Sequence, residues 1–358
     1  MIAAPSIDLR SDYRISKIIK GGWQLAGDHG AVDRAAAIRD MAAFVDAGIT
    51  TFDCADIYRG VEEMIGAFLQ DLRRRRGADA ANRVRVHTKF VPDANALTAT
   101  DRRQVEPGID RSLTRLGVER LDLVQFHWWD YGVPGALDVI GHLQELRDKG
   151  KIRHLGLTNF DLDHTRRFIE AGIDLLSVQV QFSLIDRRPS GDFADFCRTH
   201  DIAIFAYGVL AGGFFSDRWL GVADPGYAFE NRSLIKYRLI IDEFGGWGLF
   251  QELLTVLAAI AARHGVSLVN VALRAMIDHS ELTAVILGAR YAHHLQDNLR
   301  ALAFMPSDAD QAALAAVLAK RHGPSGPVFG LERDRTTRHG QIFKKNLNAD
   351  PSDAPTAS

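Results

Sequence analysis

The feature that most limits the fold of this chain is a repeated alternation of short apolar segments with amphipathic helical segments. The strand-like segments are continuously apolar, as are strands buried on both faces of a parallel sheet. They are predicted over Ile15–Ile19, Ile49–Asp53, Val84–Thr88, Leu121–His127, Ile152–Leu157, Leu175–Gln179, Ile202–Tyr207 and Ala284–Leu287. Eight such units in 358 residues favour a closed (β/α)8 barrel over an open sheet.

Helical segments separate these strands, and turn residues mark their ends. Asp33 is predicted to cap the first helix, which stops at Gly48. Gly117 and Gly150 close two later helices in the same way. A segment rich in glycine and aromatic residues, 214–247, interrupts the pattern after the seventh strand. The prediction is therefore an α/β fold, a single-domain (β/α)8 TIM barrel with a long insert after strand 7 and a C-terminal tail.

The two ends of the chain differ from the barrel pattern. Residues 1–13 are predicted to be an irregular N-terminal lead-in, and the barrel is predicted to occupy residues 14–325. Residues 326–358 are predicted to be a partly disordered C-terminal tail, because their end, NADPSDAPTAS, has few apolar residues. The insert 214–247 is interpreted either as a lid over cofactor or substrate or as a subunit contact.

Charge and cysteine content exclude some functions. A formal net charge of -2 argues against a general binder of nucleic acids or of anionic membranes. Cys54 and Cys197 lack metal-ligand spacing and suit a reducing compartment. The most apolar stretch, Leu253–Ile277, is interrupted by basic residues, so no membrane-spanning helix is expected. With no signal peptide recognised, these features predict a cytoplasmic location.

Four polar residues lie where three successive strands end. Asp53 ends the second strand and Tyr58 follows in the same loop, while Lys89 and His127 follow the next two strands. Because barrel active sites are built at the C-terminal ends of the strands, these side chains are expected to converge. An ammonium near a phenol lowers the pKa of the phenol, and a nearby carboxylate keeps the ammonium charged. The set suits proton transfer to a carbonyl or from an alcohol.

Other sequence motifs that would indicate a different chemistry are missing. No G-x-G-x-x-G segment follows the first strand, which argues against a Rossmann site, and no G-x-S-x-G hydrolase elbow occurs. A metal-dependent hydrolase using His127, Asp130 and the pair His293–His294 is disfavoured, because these residues lack ligand spacing. Each of the four polar residues has a structural explanation by itself, and only their joint position favours a catalytic site.

Several segments resemble those of the aldo-keto reductase family, in the same order and over about residues 14–303. FDCADIY, HTKF and LDLVQFHWW resemble the segments that carry the family's catalytic residues, which implies that role for Asp53, Tyr58, Lys89 and His127. GKIRHLGLTNF, SVQVQFS and IFAYGVLAGG resemble segments that bind the cofactor. The resemblance implies hydride transfer between a nicotinamide cofactor and an aldehyde, ketone or sugar, or the corresponding alcohol.

The resemblance also implies two sets of binding residues. The cofactor-binding set comprises Trp23, Thr158, Asn159, Gln179, Tyr207, Leu210, Gly212, Gly288, Arg290, His294 and Asn298. Within it, Thr158, Asn159 and Gln179 would bind the carboxamide, and Tyr207 would stack on the nicotinamide ring. The substrate pocket is expected to be lined by Trp23, Phe90, Trp128 and Trp129. Trp23 and Trp128 match pocket positions of the family, whereas packing at the barrel end is an equal alternative for Phe90 and Trp129. No metal is implied.

The cofactor is predicted to be NADP, with NAD as the alternative. The resemblance implies that a cation in this segment binds the 2′-phosphate, and Arg290, assisted by His294, is assigned that role because its planar guanidinium suits a phosphate. The alternative is that Arg290 is a solvated residue at a helix start. Asp297 would oppose a phosphate if it pointed inward. The expected partner is a small carbonyl or alcohol substrate, with no nucleic acid or membrane, and the oligomeric state stays open. A non-catalytic, NADP-binding, redox-sensing partner protein on the same barrel is the alternative function, disfavoured by the intact set of four.

Overall fold

The structure, a computed structural model, describes residues 2–27 and 30–342. Its strands are β1 (Ser6–Arg10), β2 (Tyr13–Ser16), β3 (Ile18–Gly21), β4 (Thr51–Asp53), β5 (Arg85–Phe90), β6 (Leu121–Phe126), β7 (Ile152–Thr158), β8 (Leu175–Gln181), β9 (Ala203–Tyr207) and β10 (Ala284–Gly288). Strands β3 to β10 pair in parallel, each with the next, and β10 closes the barrel on β3. The predicted (β/α)8 barrel is confirmed.

Helices surround the barrel, and short 3-10 turns occur between them. The helices are α1 (Arg34–Asp46), α2 (Val61–Arg76), α3 (Ala78–Asn82), α4 (Arg102–Leu116), α5 (Ala136–Asp148), α6 (Leu162–Glu170), α7 (Asp192–Thr199), α8 (Arg232–Phe244), α9 (Gly246–His264), α10 (Leu268–Ile277), α11 (Leu295–Leu299), α12 (Asp308–Leu318), α13 (Gly330–Arg333) and α14 (Arg338–Gln341). As predicted, the side chain of Asp33 caps α1 by accepting a hydrogen bond from Ala36 N.

The strands are buried because they separate two packed layers. All seven residues of β8 are buried, for example, since one face of the strand lines the barrel interior and the other meets the helices. Side chains therefore alternate along each strand between the interior and the helices. In β5, Lys89 contacts Asp53 across the interior, whereas Thr88 reaches outward to Glu62 of α2. This alternation positions the site described below.

The N-terminal segment is a hairpin rather than the irregular lead-in predicted for residues 1–13. Strand β1 pairs antiparallel with β2, with Ser6 opposite Ser16. Tyr13 is fully buried, and its ring centroid lies 4.5 Å from that of His154 on β7. Tyr13 packs in one cluster with interior barrel residues such as Phe205. The hairpin is ordered because it closes the N-terminal end of the barrel and removes this apolar surface from water.

The insert after β9 packs on the chain itself. Its α8 meets α9 at a bend of 93°. Within the insert, Phe214, Trp219 and Trp247 pack against one another in an aromatic cluster. The two predicted roles of the insert, as a lid or as a subunit contact, both stay predictions. Among the described residues no single helix is long and apolar enough to cross a bilayer, and the bent pair α8–α9 reaches that length and composition only when its two helices are taken together.

The first part of the predicted C-terminal tail, residues 326–342, is helical and contains α13 and α14. Phe329 is 4% exposed and Glu332 is 2% exposed, so the segment is docked on the barrel. Specific packing and ion pairs, described below, hold it there. The rest of the predicted tail, 343–358, lies outside the described residues.

Candidate active site

Lys89 and Asp53 form a buried ion pair at the C-terminal rim of the barrel. Lys89 Nζ lies 2.8 Å from each carboxylate oxygen of Asp53 and donates also to the carbonyl oxygen of Cys54, at 2.8 Å. Both charged side chains are 5% exposed. Burial alone would lower the pKa of Lys89, but the Asp53 carboxylate outweighs it and the pKa is raised. Lys89 is therefore a fixed cation at neutral pH.

Two amide side chains complete the surroundings of Asp53. Gln125 Nε2 donates to Asp53 Oδ1 at 3.1 Å, and Gln179 Nε2 donates to the same oxygen at 2.6 Å. Gln179 Nε2 also donates to Gln125 Oε1, at 3.1 Å. With Lys89, these inward-facing residues from β5, β6 and β8 donate to the carboxylate. Asp53 therefore fixes the position of the Lys89 ammonium.

Tyr58 stands above this pair in the loop after β4. Lys89 Nζ lies 5.3 Å from the centroid of the Tyr58 ring, and the Trp23 ring meets that ring edge-on at 5.1 Å. Burial raises the pKa of the Tyr58 phenol to about 12, although Lys89 acts in the opposite direction. As expected, the charge of Lys89 by itself lowers the pKa of Tyr58. The expected net lowering is wrong, however, because the loss of solvent around the phenol raises the pKa by more. The phenol is protonated and can donate its proton.

His127 follows β6 and is 3% exposed. Its Nδ1 lies 3.1 Å from the carbonyl oxygen of Thr158. Because a carbonyl only accepts hydrogen bonds, Nδ1 carries the proton and Nε2 is left with a free lone pair. Burial, together with the positive charge of Arg333, lowers the pKa of His127 to about 3. His127 is therefore neutral, and it faces the Trp129 ring edge-on at 4.6 Å.

Two residues predicted to line the substrate pocket point elsewhere. Phe90 follows the inward-facing Lys89 and so faces outward, where it packs against Gly108 of α4. Trp128 follows His127 and is fully buried, with Nε1 donating to the carbonyl oxygen of Val133 at 3.0 Å. The prediction is wrong for both, because neighbouring residues at a strand end face opposite sides. Trp23 beside Tyr58 and Trp129 beside His127 do lie at the mouth.

The residues predicted to bind the nicotinamide end come together next to these groups. Thr158 ends β7, Gln179 lies in β8 and Tyr207 ends β9. Asn159 has a left-handed backbone, with φ of 63°, and its Oδ1 accepts a hydrogen bond from Tyr207 Oη at 2.8 Å. Amide and carbonyl groups from neighbouring strand ends therefore lie together, and such polar groups suit a carboxamide.

The next part of the predicted cofactor site is covered by helix α8. A Cβ atom placed on Gly208 or Gly212 would collide with the Tyr237 ring. Lys236 Nζ lies 4.9 Å from the centroid of the Tyr207 ring. The bare backbone of the two glycines fits a diphosphate. Tyr237 fills the space above these two glycines.

The residues predicted for the adenosine end follow β10. Gly288 ends that strand and lies against the side chain of Gln24. Arg290 Nη1 lies close to Gly30 in the loop before α1, and His294 is exposed. Asn298 lies on α11 and lines a small apolar cavity between that helix and the barrel. The four residues thus share one side of the rim. In the described part of the chain, no group of three potential metal ligands occurs.

Three further residues at the mouth come from the segment predicted to be a tail. The Phe329 ring meets the His127 ring edge-on at 6.0 Å, Glu332 pairs with Arg188, and Arg333 binds carbonyl groups beside the site. They line part of a cavity of about 170 Å³ together with Trp129, Asp130, Tyr131 and Arg335. The apolar residues of PVFGLERDR, which are unusual in a disordered tail, were the available sequence signal.

Known proteins are similar to this chain in sequence and fold. The family model described as "Aldo/keto reductase family" matches residues 17–319. The chain is 25% identical over 327 residues to the NADH-specific methylglyoxal reductase of Escherichia coli (strain K12), covering 84% of this chain and 94% of that protein. A glycerol dehydrogenase structure from Gluconobacter oxydans has the same fold, with a TM-score of 0.71 at 24% identity, covering 91% of this chain and 97% of that chain.

A third relative is much longer than the matched region. The flagellar radial spoke protein 5 of Chlamydomonas reinhardtii is 31% identical over 260 residues, which is 63% of this chain. The match covers 49% of that protein, so the chain spans about half the length of this relative.

Proposed function

Since this chain belongs to the aldo/keto reductase family, we propose that it reduces a small carbonyl substrate with NADPH and that Tyr58 is the general acid. The family membership supports a nicotinamide-dependent oxidoreductase acting on carbonyl or alcohol groups. The observation that carries the assignment of Tyr58 is its environment. It is a phenol with a raised pKa, directly above a lysine that Asp53 keeps charged.

The proposed chemistry divides between cofactor and protein. The nicotinamide, when bound, supplies the hydride. Tyr58 passes its proton to the carbonyl oxygen, and Lys89 stabilises the phenolate that remains. Asp53 holds Lys89 in place through both of its carboxylate oxygens. Neutral His127 adds no positive charge and offers Nε2 as a hydrogen-bond acceptor beside the reacting groups.

The residues of this chain would hold the cofactor along one edge of the barrel mouth. Thr158, Asn159 and Gln179 would hold the carboxamide beside Tyr207, and the backbone near Gly212 the diphosphate. The adjacent amide groups of Asn159 and Gln179 and the bare glycines described above support this arrangement. Two buried, unpaired cysteines, Cys54 and Cys197, support the further proposal of a cytoplasmic location.

A substrate panel tests the proposed activity. Aldehydes, ketones and sugars are offered with NADPH and with NADH, and the corresponding alcohols with the oxidised cofactors, while the cofactor absorbance is followed. We expect NADPH oxidation with at least one carbonyl class. Binding of NADPH, seen as quenched tryptophan fluorescence, without turnover of any substrate would instead support the non-catalytic, redox-sensing alternative. If the protein neither binds NADPH nor turns over any of the substrates, the proposal is contradicted.

The preference for NADP is proposed to depend on Arg290, with assistance from His294. Substitution Arg290→Ala should weaken NADPH binding by roughly 10- to 100-fold, because a charged hydrogen bond to a phosphate contributes about 1.5–3 kcal/mol. NADH binding should change by less than about twofold, since NADH has no 2′-phosphate. The measurement is fluorescence titration with both cofactors. Arg198→Ala, an exposed arginine paired with Asp195, is the control.

Equal losses for NADPH and NADH in the Arg290→Ala variant would remove Arg290 from the phosphate site. A preference for NADPH does not follow from the similar proteins, because the Escherichia coli relative bears a name that specifies NADH.

A further inference from the structure

A short segment beyond the matched part of the chain lies across the mouth of the barrel. The family model ends at residue 319, whereas this mouth segment comprises residues 329–335. Phe329 is 4% exposed, and its ring centroid lies 6.0 Å from that of His127. The segment supplies none of the four polar residues at the rim, yet it touches one of them. Its contacts therefore bear on how the site is held together.

A buried ion pair anchors the mouth segment to the loop after β8. Arg188 Nη1 donates to Glu332 Oε2 at 2.8 Å, and Nη2 donates to Oε1 at 3.0 Å. Both side chains are 1% exposed. Arg188 also binds Asp186, which accepts a hydrogen bond from Gln181 Nε2 at 2.6 Å. A bidentate pair of this kind fixes direction as well as distance, so the position of residue 332 is well defined.

The next residue, Arg333, joins the ends of two strands. Its Nη1 donates to the carbonyl oxygens of Trp128 at 2.6 Å and Trp129 at 2.8 Å, just after β6. Its Nη2 donates to the carbonyl oxygen of Asn159 at 2.9 Å, just after β7. The guanidinium also stacks on the Tyr131 ring at 3.8 Å. One planar group thus connects the backbone that carries His127 with the backbone of the predicted carboxamide-binding Asn159.

We propose that Arg333 is a positioning residue for the reaction proposed above. It acts as a clamp that fixes the backbone next to His127, on the substrate side, relative to the backbone of Asn159, on the cofactor side. It acts through the three carbonyl groups at the ends of β6 and β7, and Glu332 holds it there through Arg188. His127, just after β6, already binds the carbonyl oxygen of Thr158 at the end of β7, and Arg333 adds three hydrogen bonds to that connection. Because a misplacement of about 1 Å can cost roughly 100-fold in rate, such a clamp has a measurable effect.

Two substitutions separate the geometry of Arg333 from its charge. Arg333→Met removes both, whereas Arg333→Lys keeps a cation that cannot reach three carbonyl groups in a plane. We expect kcat for the best carbonyl substrate to fall at least about 10-fold in both variants, with cofactor affinity changed by less than about threefold. Arg198→Met, on the exposed face of α7, is the matched control and should keep wild-type kcat.

Hydrogen exchange provides a readout that does not depend on turnover. The amide of His127 donates to the carbonyl oxygen of Phe90, and that of Asn159 donates to the carbonyl oxygen of Gln179. Without the clamp these strand-end hydrogen bonds should open more often, so both amides should exchange at least about 10-fold faster in Arg333→Met. The amide of Cys54, which donates to the carbonyl oxygen of His87 away from the clamp, should keep its rate.

The outcomes distinguish this proposal from the proposed function. If wild-type protein reduces no substrate, the reductase assignment fails, and hydrogen exchange still tests the clamp. If wild-type protein is active but Arg333→Met keeps kcat within twofold and exchanges at the wild-type rate, the clamp is wrong. A kcat that falls in Arg333→Met but is preserved in Arg333→Lys would show that charge alone matters, which also contradicts the positioning role.

Discussion

Replacement of Tyr58 by phenylalanine is expected to lower kcat for carbonyl reduction by roughly 100- to 10,000-fold, the usual contribution of a general acid. The substitution removes the only atom that carries the transferable proton and leaves the ring, with its contacts to Trp23 and Lys89, in place. The affinity for NADPH should therefore stay within about twofold. Steady-state kinetics and fluorescence titration measure the two quantities separately.

The pH dependence of the wild-type protein gives an independent check on Tyr58. Because burial raises its pKa to about 12, the phenol of the free protein stays protonated well above its ordinary pKa of 10.0. A proton donor is lost only as pH rises through its pKa in the folded state. Ionisation of Tyr58 should therefore cause no change in kcat/KM for reduction between about pH 7 and pH 10. A fall centred below pH 9 would contradict the environment described for this phenol.

The control for this substitution is Tyr13→Phe, which removes a buried hydroxyl beneath the hairpin at the N-terminal end of the barrel. It should leave turnover unchanged, because the four rim residues lie at the opposite, C-terminal end of the strands. Near wild-type turnover in Tyr58→Phe would remove Tyr58 from the mechanism.

Replacement of Lys89 by methionine is expected to have the largest effect on stability, lowering the free energy of unfolding by roughly 3–5 kcal/mol. The substitution leaves the Asp53 carboxylate buried without its cation, at 5% exposure. The raised pKa of Lys89 means that its contribution to stability is fully present below the pKa of the unfolded chain and is lost as pH rises through the folded value. Denaturant unfolding at pH 7 therefore measures the full effect.

A second substitution identifies the cause of this loss. In Asp53→Asn/Lys89→Met the buried negative charge is gone, while a side-chain oxygen remains for Gln125 and Gln179. We expect the double variant to be more stable than Lys89→Met alone, although both should be inactive. Lys320→Met breaks an exposed pair with Glu252 and should cost less than about 1 kcal/mol. If Lys89→Met lowers the free energy of unfolding by less than about 1 kcal/mol, the explanation by an uncompensated Asp53 charge is wrong.

The barrel and the four rim residues could be predicted because they depend on local patterns. A buried parallel strand is a short apolar run, and Asp53, Lys89 and His127 are marked by their position at the ends of such runs. Phe90 and Trp128, which were expected to line the substrate pocket, face outward instead. Strict alternation from the inward-facing Lys89 and His127 would have placed both outside the barrel.

The N-terminal hairpin and the mouth segment could not be placed in this way. The residues of β1 alternate in burial, but their partner surface is the closed end of the barrel, which only exists after the strands have assembled. Glu332 and Arg333 bind Arg188, Trp128 and Asn159, which lie more than a hundred residues earlier in the chain. Contacts across such separations leave no periodic pattern in the sequence.

The sequence by itself determined the (β/α)8 barrel, the order of its strands and the identity of Asp53, Tyr58, Lys89 and His127, because these follow from local apolar patterns and from motifs of contiguous residues. Only the tertiary structure decided the state of these residues. Burial makes Tyr58 a protonated phenol despite the nearby Lys89, since desolvation depends on everything packed around the ring. The tertiary structure also places Arg333 at the mouth, because the Arg188–Glu332 ion pair that holds its segment joins distant parts of the chain and can form only once the barrel has closed.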